Sequence, residues 1–273
     1  MPPPNLKSVS FKNFRENIFK QKLFPKKMFI HHIDPVLLSL GPLEIRYYGL
    51  IYALGFVFAY LALRKAAKHK KLSLSEEDID SLVVWLIIGV VLGARIFEIL
   101  FYQSGYYFSH PSEIIAVWKG GLSFHGGLVG AAVTAYLFAK KKKLSFLRLA
   151  DILVIPAALA LVFGRIANFI NAEVIGKPTS LPWAVQFPQD HLYRHPSQLY
   201  EALKNFLIFF ILLKTKEHKE GYLLGLFLFL YGILRFLIEF VKEPEAMIGP
   251  LTMGQILGIP MIIVGVYLLY KKK

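Results

Sequence analysis

At 273 residues, with 55% hydrophobic residues and a mean hydropathy of +0.50, the chain is too apolar for an ordinary soluble domain and reads as a polytopic membrane protein. A net charge of +14 would suggest nucleic acid in a soluble protein. Here the basic residues lie in short loops between apolar stretches, which points to membrane orientation and anionic lipid and to no nucleic-acid partner. The absence of cysteine excludes a disulfide, a zinc-thiolate site and a cysteine nucleophile, so any thiol chemistry uses a thiol of the substrate.

Residues 1–27 carry seven lysines and arginines (Lys7, Lys12, Arg15, Lys20, Lys22, Lys26 and Lys27) and no apolar core of the length a secretory signal needs. They are expected to be a basic N-terminal extension, either a surface-lying tail or a segment ahead of a true start at Met28. Residues 28–273 then form a single transmembrane domain. Seven apolar stretches follow, at 47–67, 79–102, 122–139, 149–171, 196–213, 222–241 and 253–270. Each can cross a hydrocarbon core of about 30 Å at about 1.5 Å per residue. Backbone groups in lipid must pair within their own segment, so the stretches are helices. The expected fold is therefore an all-α polytopic membrane protein of about seven transmembrane helices.

The loops alternate in charge. One set holds Arg64, Lys65, Lys68, Lys70 and Lys71; the lysine run 140–143 with Arg148; Lys214, Lys216 and Lys219; and the C-terminal lysines 271–273. The other holds only Lys119, Lys177, Arg194 and Lys242. The positive-inside rule puts the rich set in the cytoplasm, with the first helix starting outside and the C-terminus cytoplasmic. On that orientation the polar residues within the spans converge in the outer half of the bilayer. Tyr48 opens the first span; Arg95 and Glu98 lie late in the second; His125 is early in the third; Arg165, Asn168 and Asn171 lie late in the fourth. Gln198, Tyr200 and Glu201 open the fifth, and Tyr231, Arg235 and Glu239 lie late in the sixth. A charged side chain within a span costs about 3 kcal/mol, so such convergence points to one polar cavity. Its three arginines make an anion site, because guanidinium can grip phosphate with two parallel hydrogen bonds.

Structural roles compete with this reading. Arg95 with Glu98 and Arg235 with Glu239 have the spacing of intrahelical ion pairs, whereas Arg165 has no acid within one turn. Tyr48 and Tyr231 fit an interfacial aromatic belt, and Asn168 and Asn171 fit interhelical hydrogen bonding. Lys204 fits a snorkelling lysine or a partner of Glu201. Trp118 and residues 181–193 are candidates for an element lying at headgroup level. No cluster of histidines and carboxylates has metal-ligand spacing, and no metal or organic cofactor is expected.

The run from Gly164 to Gly176, Gly-Arg-Ile-Ala-Asn-Phe-Ile-Asn-Ala-Glu-Val-Ile-Gly, resembles the signature of the phosphatidylglycerol–prolipoprotein diacylglyceryl transferases. Other matching pieces occur in family order: Arg46-Tyr47-Tyr48-Gly49, Gly93-Ala94-Arg95, His125-Gly126-Gly127-Leu128, Arg194-His195-Pro196-Ser197-Gln198-Leu199-Tyr200-Glu201 and Tyr231-Gly232-Ile233-Leu234-Arg235-Phe236. Two departures are Lys242, where arginine is frequent, and Glu245, where aspartate is. The resemblance implies a bacterial inner-membrane, multi-pass enzyme. It would move the diacylglyceryl group of phosphatidylglycerol to the lipobox cysteine of a preprolipoprotein signal peptide, form a thioether and release glycerol phosphate. In that reading His125, Arg165 and Arg235 are catalytic. Tyr48, Arg95, Asn168, Asn171, Glu173, Gly176, Tyr231 and Glu239 bind substrate, although Glu173 and Gly176 could instead shape the exit of the fourth span. The alternatives are an anionic-phospholipid translocase and a lipid-binding membrane protein. A translocase would need polar residues in the inner halves of the spans, and 131–138 and 152–162 are almost wholly apolar.

Overall fold

A computed structural model describes residues 28–40, 43–69, 72–189, 191–216, 219–244 and 246–271. The expectations about the extension 1–27 and its start lie outside the described residues. Among the described residues eight α-helices dominate: α1 (Tyr47–Lys68), α2 (Glu76–Phe97), the short α3 (Ser104–Ser109), α4 (Phe124–Lys141), α5 (Phe146–Ile170), α6 (Ser197–Lys214), α7 (Tyr222–Ile238) and α8 (Met253–Tyr270). Each of the seven apolar stretches thus contains a helix. Among the described residues, four helices are long and apolar enough to cross a membrane: Tyr47–Lys68, Glu76–Tyr102, Phe146–Ile170 and Met253–Tyr270. The other three fall short of that description for visible reasons. α6 carries Gln198, Glu201, Lys204 and Asn205 on its buried face, α4 ends in lysines, and α7 is 17 residues long.

Capping starts the helices where the sequence changes character. Ser75 and Asp78 form a capping box at α2, and Thr252 and Gln255 form one at α8. Ser123 and Ser145 accept from Gly126 N and Arg148 N at the starts of α4 and α5. α7 has no cap of its own. It begins after Gly221, which holds φ +83°, and its first turn is closed from another helix: the buried Asp151 of α5 accepts from Gly221 N at 2.7 Å and Leu224 N at 2.8 Å.

Two helix pairs cross through glycine. A Cβ on Gly130 of α4 would lie 2.0 Å from the carbonyl oxygen of Gly89 on α2, and one on Gly93 would lie 2.4 Å from that of Gly126. A Cβ on Gly232 of α7 would meet Gly258 of α8 at 2.9 Å, and one on Gly265 would meet Gly225 at 2.8 Å. Small residues let backbones approach where no water drives the helices together. Large side chains such as Leu61, Trp85, Leu92, Leu137, Leu203 and Ile263 point outward and are more than half exposed, as a lipid-facing surface requires.

The structure adds elements that the alternation of apolar stretches and charged loops does not announce. Three small sheets lie between the helices. β1 (Phe29–Ile30), β4 (Val185–Gln186) and β5 (Tyr193–Arg194) form one; β2 (Val36–Leu40) pairs with β3 (Leu43–Arg46), and β6 (Met247–Ile248) with β7 (Leu251–Thr252). Residues 181–193 therefore supply strands, and Trp118 lies exposed on a 3-10 turn, Val117–Lys119. α2 runs on into a π-helical turn at Glu98–Tyr102.

The glycine crossing yields a test. Gly130→Leu must push α4 off α2 and is expected to cost about 3 kcal/mol or more through overpacking, whereas the lipid-facing Leu128→Ala beside it leaves stability almost unchanged. Thermal unfolding of the purified protein in detergent separates the two, and equal stability of Gly130→Leu and wild type would refute the close crossing.

Candidate active site

A buried carboxylate organises the polar cluster. Glu201, in the second turn of α6, is 2% exposed, and three cations from three helices face it. Lys204, on the same helix, pairs with its Oε2. Arg165 Nε, from the last two turns of α5, stands 3.9 Å from Oε2, and Arg235 Nη1, from the last turn of α7, stands 3.7 Å from Oε1. The Lys204 ammonium also lies 3.8 Å from the centroid of the Tyr231 ring. Arg235 continues to Glu239 at 3.3 Å, which in turn meets Lys242 at 3.6 Å and accepts from Thr252 Oγ1 at 2.9 Å. Gly254 is what lets α8 approach that carboxylate, since a Cβ there would lie 2.1 Å from Glu239 Oε1. Among the described residues, Arg165, Arg235 and Lys204 outnumber the buried carboxylates Glu201 and Glu239 that they face, a surplus of positive charge that an anion would neutralise.

The signature run forms the rim. Arg165 Nη1 donates to Asn168 Oδ1 at 3.4 Å, and Asn168 Nδ2 donates to the Tyr48 hydroxyl and, at 3.1 Å, to Glu173 Oε2. Tyr48 and Asn171 also donate to Glu173, at 3.3 and 3.2 Å. Glu173 sits between two residues in left-handed backbone, Ala172 at φ +56° and Val174 at φ +55°. For a β-branched residue this conformation is strained and persists only when neighbours impose it. They do: Ser197 Oγ donates to Val174 O at 2.8 Å, Gln198 Nε2 to Glu173 O at 2.6 Å, and Gln189 Nε2 to Ala172 O. The His-Pro-Ser-Gln run that opens α6 therefore aims the exposed Glu173 carboxylate. Gly176 closes the turn, because a Cβ there would lie 2.5 Å from His195 O and 2.9 Å from Val241 O. Its place is in packing rather than at the cluster. His195 bonds the Tyr200 hydroxyl at 3.2 Å, and partial burial pushes its imidazole below the ordinary histidine range.

Arg95 and His125 are not brought to this cluster. All three guanidinium nitrogens of Arg95, itself 5% exposed, are spent on residues 107–121. They donate to the Tyr107 hydroxyl at 2.9 Å and to the carbonyls of Ile114 at 2.9 Å, Gly120 at 2.7 Å, Gly121 at 2.8 Å, Ala116 at 3.4 Å and Glu113. The cation also lies over the Tyr107 ring at 4.6 Å. Arg95 therefore pins the segment between α2 and α4. Glu98 turns to Gln103 at 3.1 Å instead of pairing with Arg95. His125, exposed in the first turn of α4, bonds the Tyr102 hydroxyl through Nδ1 at 3.1 Å. The glycines beside it receive the backbone of α2.

Sequence reasoning places Glu201 among the polar residues of the cavity but assigns it no role there, and reads Lys204 only as a snorkelling lysine or a partner of Glu201; an acid and a base three residues apart in an apolar stretch are the signal that was available. Arg95→Met is expected to speed amide exchange across 113–121 by about tenfold or more, with α7 and α8 unchanged. Unchanged protection of 113–121 would contradict the pinning role.

A family model for prolipoprotein diacylglyceryl transferase matches residues 35–271. The phosphatidylglycerol–prolipoprotein diacylglyceryl transferase of Geobacter sulfurreducens is 45% identical over 242 residues, covering 86% of this chain and 93% of the relative. That of Bordetella avium is 46% identical over 245 residues, with 86% and 93% covered, and that of Nitratidesulfovibrio vulgaris is 43% identical over 246, with 87% and 94% covered. With matches of this extent, the chain belongs to the prolipoprotein diacylglyceryl transferase family.

Proposed function

We propose that the protein transfers the diacylglyceryl group of phosphatidylglycerol to the cysteine thiol of a preprolipoprotein, within a bacterial inner membrane that its helices cross about seven times, N-terminus outside and C-terminus cytoplasmic. In this reaction the substrate sulfur bonds to the glyceryl carbon as the bond from that carbon to the phosphate oxygen breaks. The electron pair leaves with glycerol phosphate and the thiol gives up its proton. The observation that carries the reading is the pair of guanidiniums, Arg165 and Arg235, on separate helices around one buried carboxylate. Both face the same carboxylate, yet Arg165 Nε and Arg235 Nη1 stand beyond hydrogen-bond distance of Glu201 and can turn to phosphate. Fixed positive charge in a dry site stabilises the departing phosphate better than water does.

Supporting roles follow from the contacts. Tyr48, Asn168, Asn171 and Glu173 form a rim of donors and acceptors suited to the glycerol hydroxyls or the peptide backbone. Glu239 orients Arg235 from its far side, and the Tyr231 ring carries Lys204. His125 is the base for the thiol, since a neutral imidazole offers one ring nitrogen to a proton while the other holds a hydrogen bond. The tautomer with Nδ1–H donating to the Tyr102 oxygen leaves the Nε2 lone pair open for that proton. The lipid and the signal-peptide helix enter between helices. A translocase would need a polar route through the bundle, and Val154, Ala158, Ile208 and Leu212 pack together between helices α5 and α6 instead.

Incubation of the purified protein with phosphatidylglycerol and a lipobox peptide, read by mass spectrometry, tests the reading. Wild type adds a diacylglyceryl mass to cysteine, and Arg165→Ala lowers the rate by about a hundredfold or more. A folded wild-type protein in bilayers that leaves the peptide unmodified would overturn it.

A further inference from the structure

Lys204 has no part in the chemistry so far, yet it is the cation closest to Glu201. It is 4% exposed, enclosed between that carboxylate and the face of Tyr231. A lysine in an apolar helix ordinarily snorkels toward water. This one turns inward, one helical turn from its partner. The arginines show the consequence. A guanidinium beside a buried carboxylate favours two parallel hydrogen bonds at about 2.8 Å. Arg165 and Arg235 instead stand at 3.9 and 3.7 Å from the Glu201 oxygens.

We propose that Lys204 is a positioning residue of the transfer reaction: by holding the charge of Glu201, it keeps Arg165 and Arg235 from closing on that carboxylate and leaves their donors to the lipid phosphate. Without Lys204, Glu201 is the carboxylate that faces both arginines with its nearest cation gone, and a guanidinium clamped on a carboxylate competes poorly for phosphate. Removing both Lys204 and Glu201 removes the competition with the competitor. The inference rests on reading the arginine pair as the phosphate site.

A double-substitution cycle on transfer kinetics decides it. Lys204→Met is expected to raise KM for phosphatidylglycerol about tenfold, with a smaller change in kcat and none in KM for the lipobox peptide. Lys204→Arg keeps KM within about threefold of wild type. The combined Lys204→Met, Glu201→Gln variant removes the competing acid together with its nearest cation and shares any repulsion between the arginines with Glu201→Gln; its lipid KM returns to within about threefold of Glu201→Gln alone. An unchanged KM in Lys204→Met, or a double variant as impaired as Lys204→Met, overturns the proposal. Where Lys204→Met does not accumulate, the double variant decides alone against Glu201→Gln by the same threefold and tenfold margins. A wild type without transfer activity fails the functional reading, whereas an active wild type with indifferent Lys204 variants fails only this one.

Discussion

The site depends on a negative charge buried at Glu201. Placing a carboxylate inside a helical bundle is costly unless it is paired, and removing one partner of such a pair typically costs about 3–5 kcal/mol. Here the partners come from α5, α6 and α7, so one acid fixes the relative positions of three helices and of the two guanidiniums they carry. The same acid sets a balance. A carboxylate with too few cations would capture the arginines, and a cluster of arginines with no acid would repel itself. The surplus of positive charge gathered around Glu201 and Glu239 creates an attraction for an anion without leaving the bundle unpaired when the anion is absent.

The surrounding fold holds that balance in place by contacts of different kinds. Gly254 brings α8 against Glu239, and the α7–α8 crossing at Gly225, Gly232, Gly258 and Gly265 fixes the helix that bears Arg235. Asp151 ties the start of α7 to α5, so the helices of Arg165 and Arg235 are joined at both ends, by a cap at one and by Glu201 at the other. The rim is held by strained backbone around Glu173, pinned from the start of α6. Strain of this sort, clamped by several hydrogen bonds, is a common way of presenting a side chain at a working site.

Much of this was legible in the amino-acid sequence, and the failures have physical reasons. Apolar stretches of 18 residues and more mark helices strongly, and all seven contain one. The signature run was readable because its residues are contiguous and its turn needs nothing from elsewhere to be recognised. Depth along a helix follows from position, but direction around it does not. Arg95 lies at the depth of the other arginines and yet faces the segment 107–121, whose carbonyls absorb all its donors. Glu201 and Lys204 looked like a local pair because nothing in their own helix reveals the arginines opposite. Asp151 gave no signal, since a cap supplied across space has no sequence spacing. Strands of two residues, such as Val185–Gln186, have too few positions to show alternation.

The account's central claim is that the Arg165–Arg235 pair, and not Arg95, is where an anionic lipid is held. Native mass spectrometry of the delipidated protein, titrated with equal phosphatidylglycerol and zwitterionic phosphatidylcholine, tests this most directly. The account predicts that wild type and Arg95→Met retain phosphatidylglycerol preferentially and that the Arg165→Ala, Arg235→Ala double variant retains the two lipids equally. An undiminished preference in the double variant, or its loss in Arg95→Met alone, would contradict it.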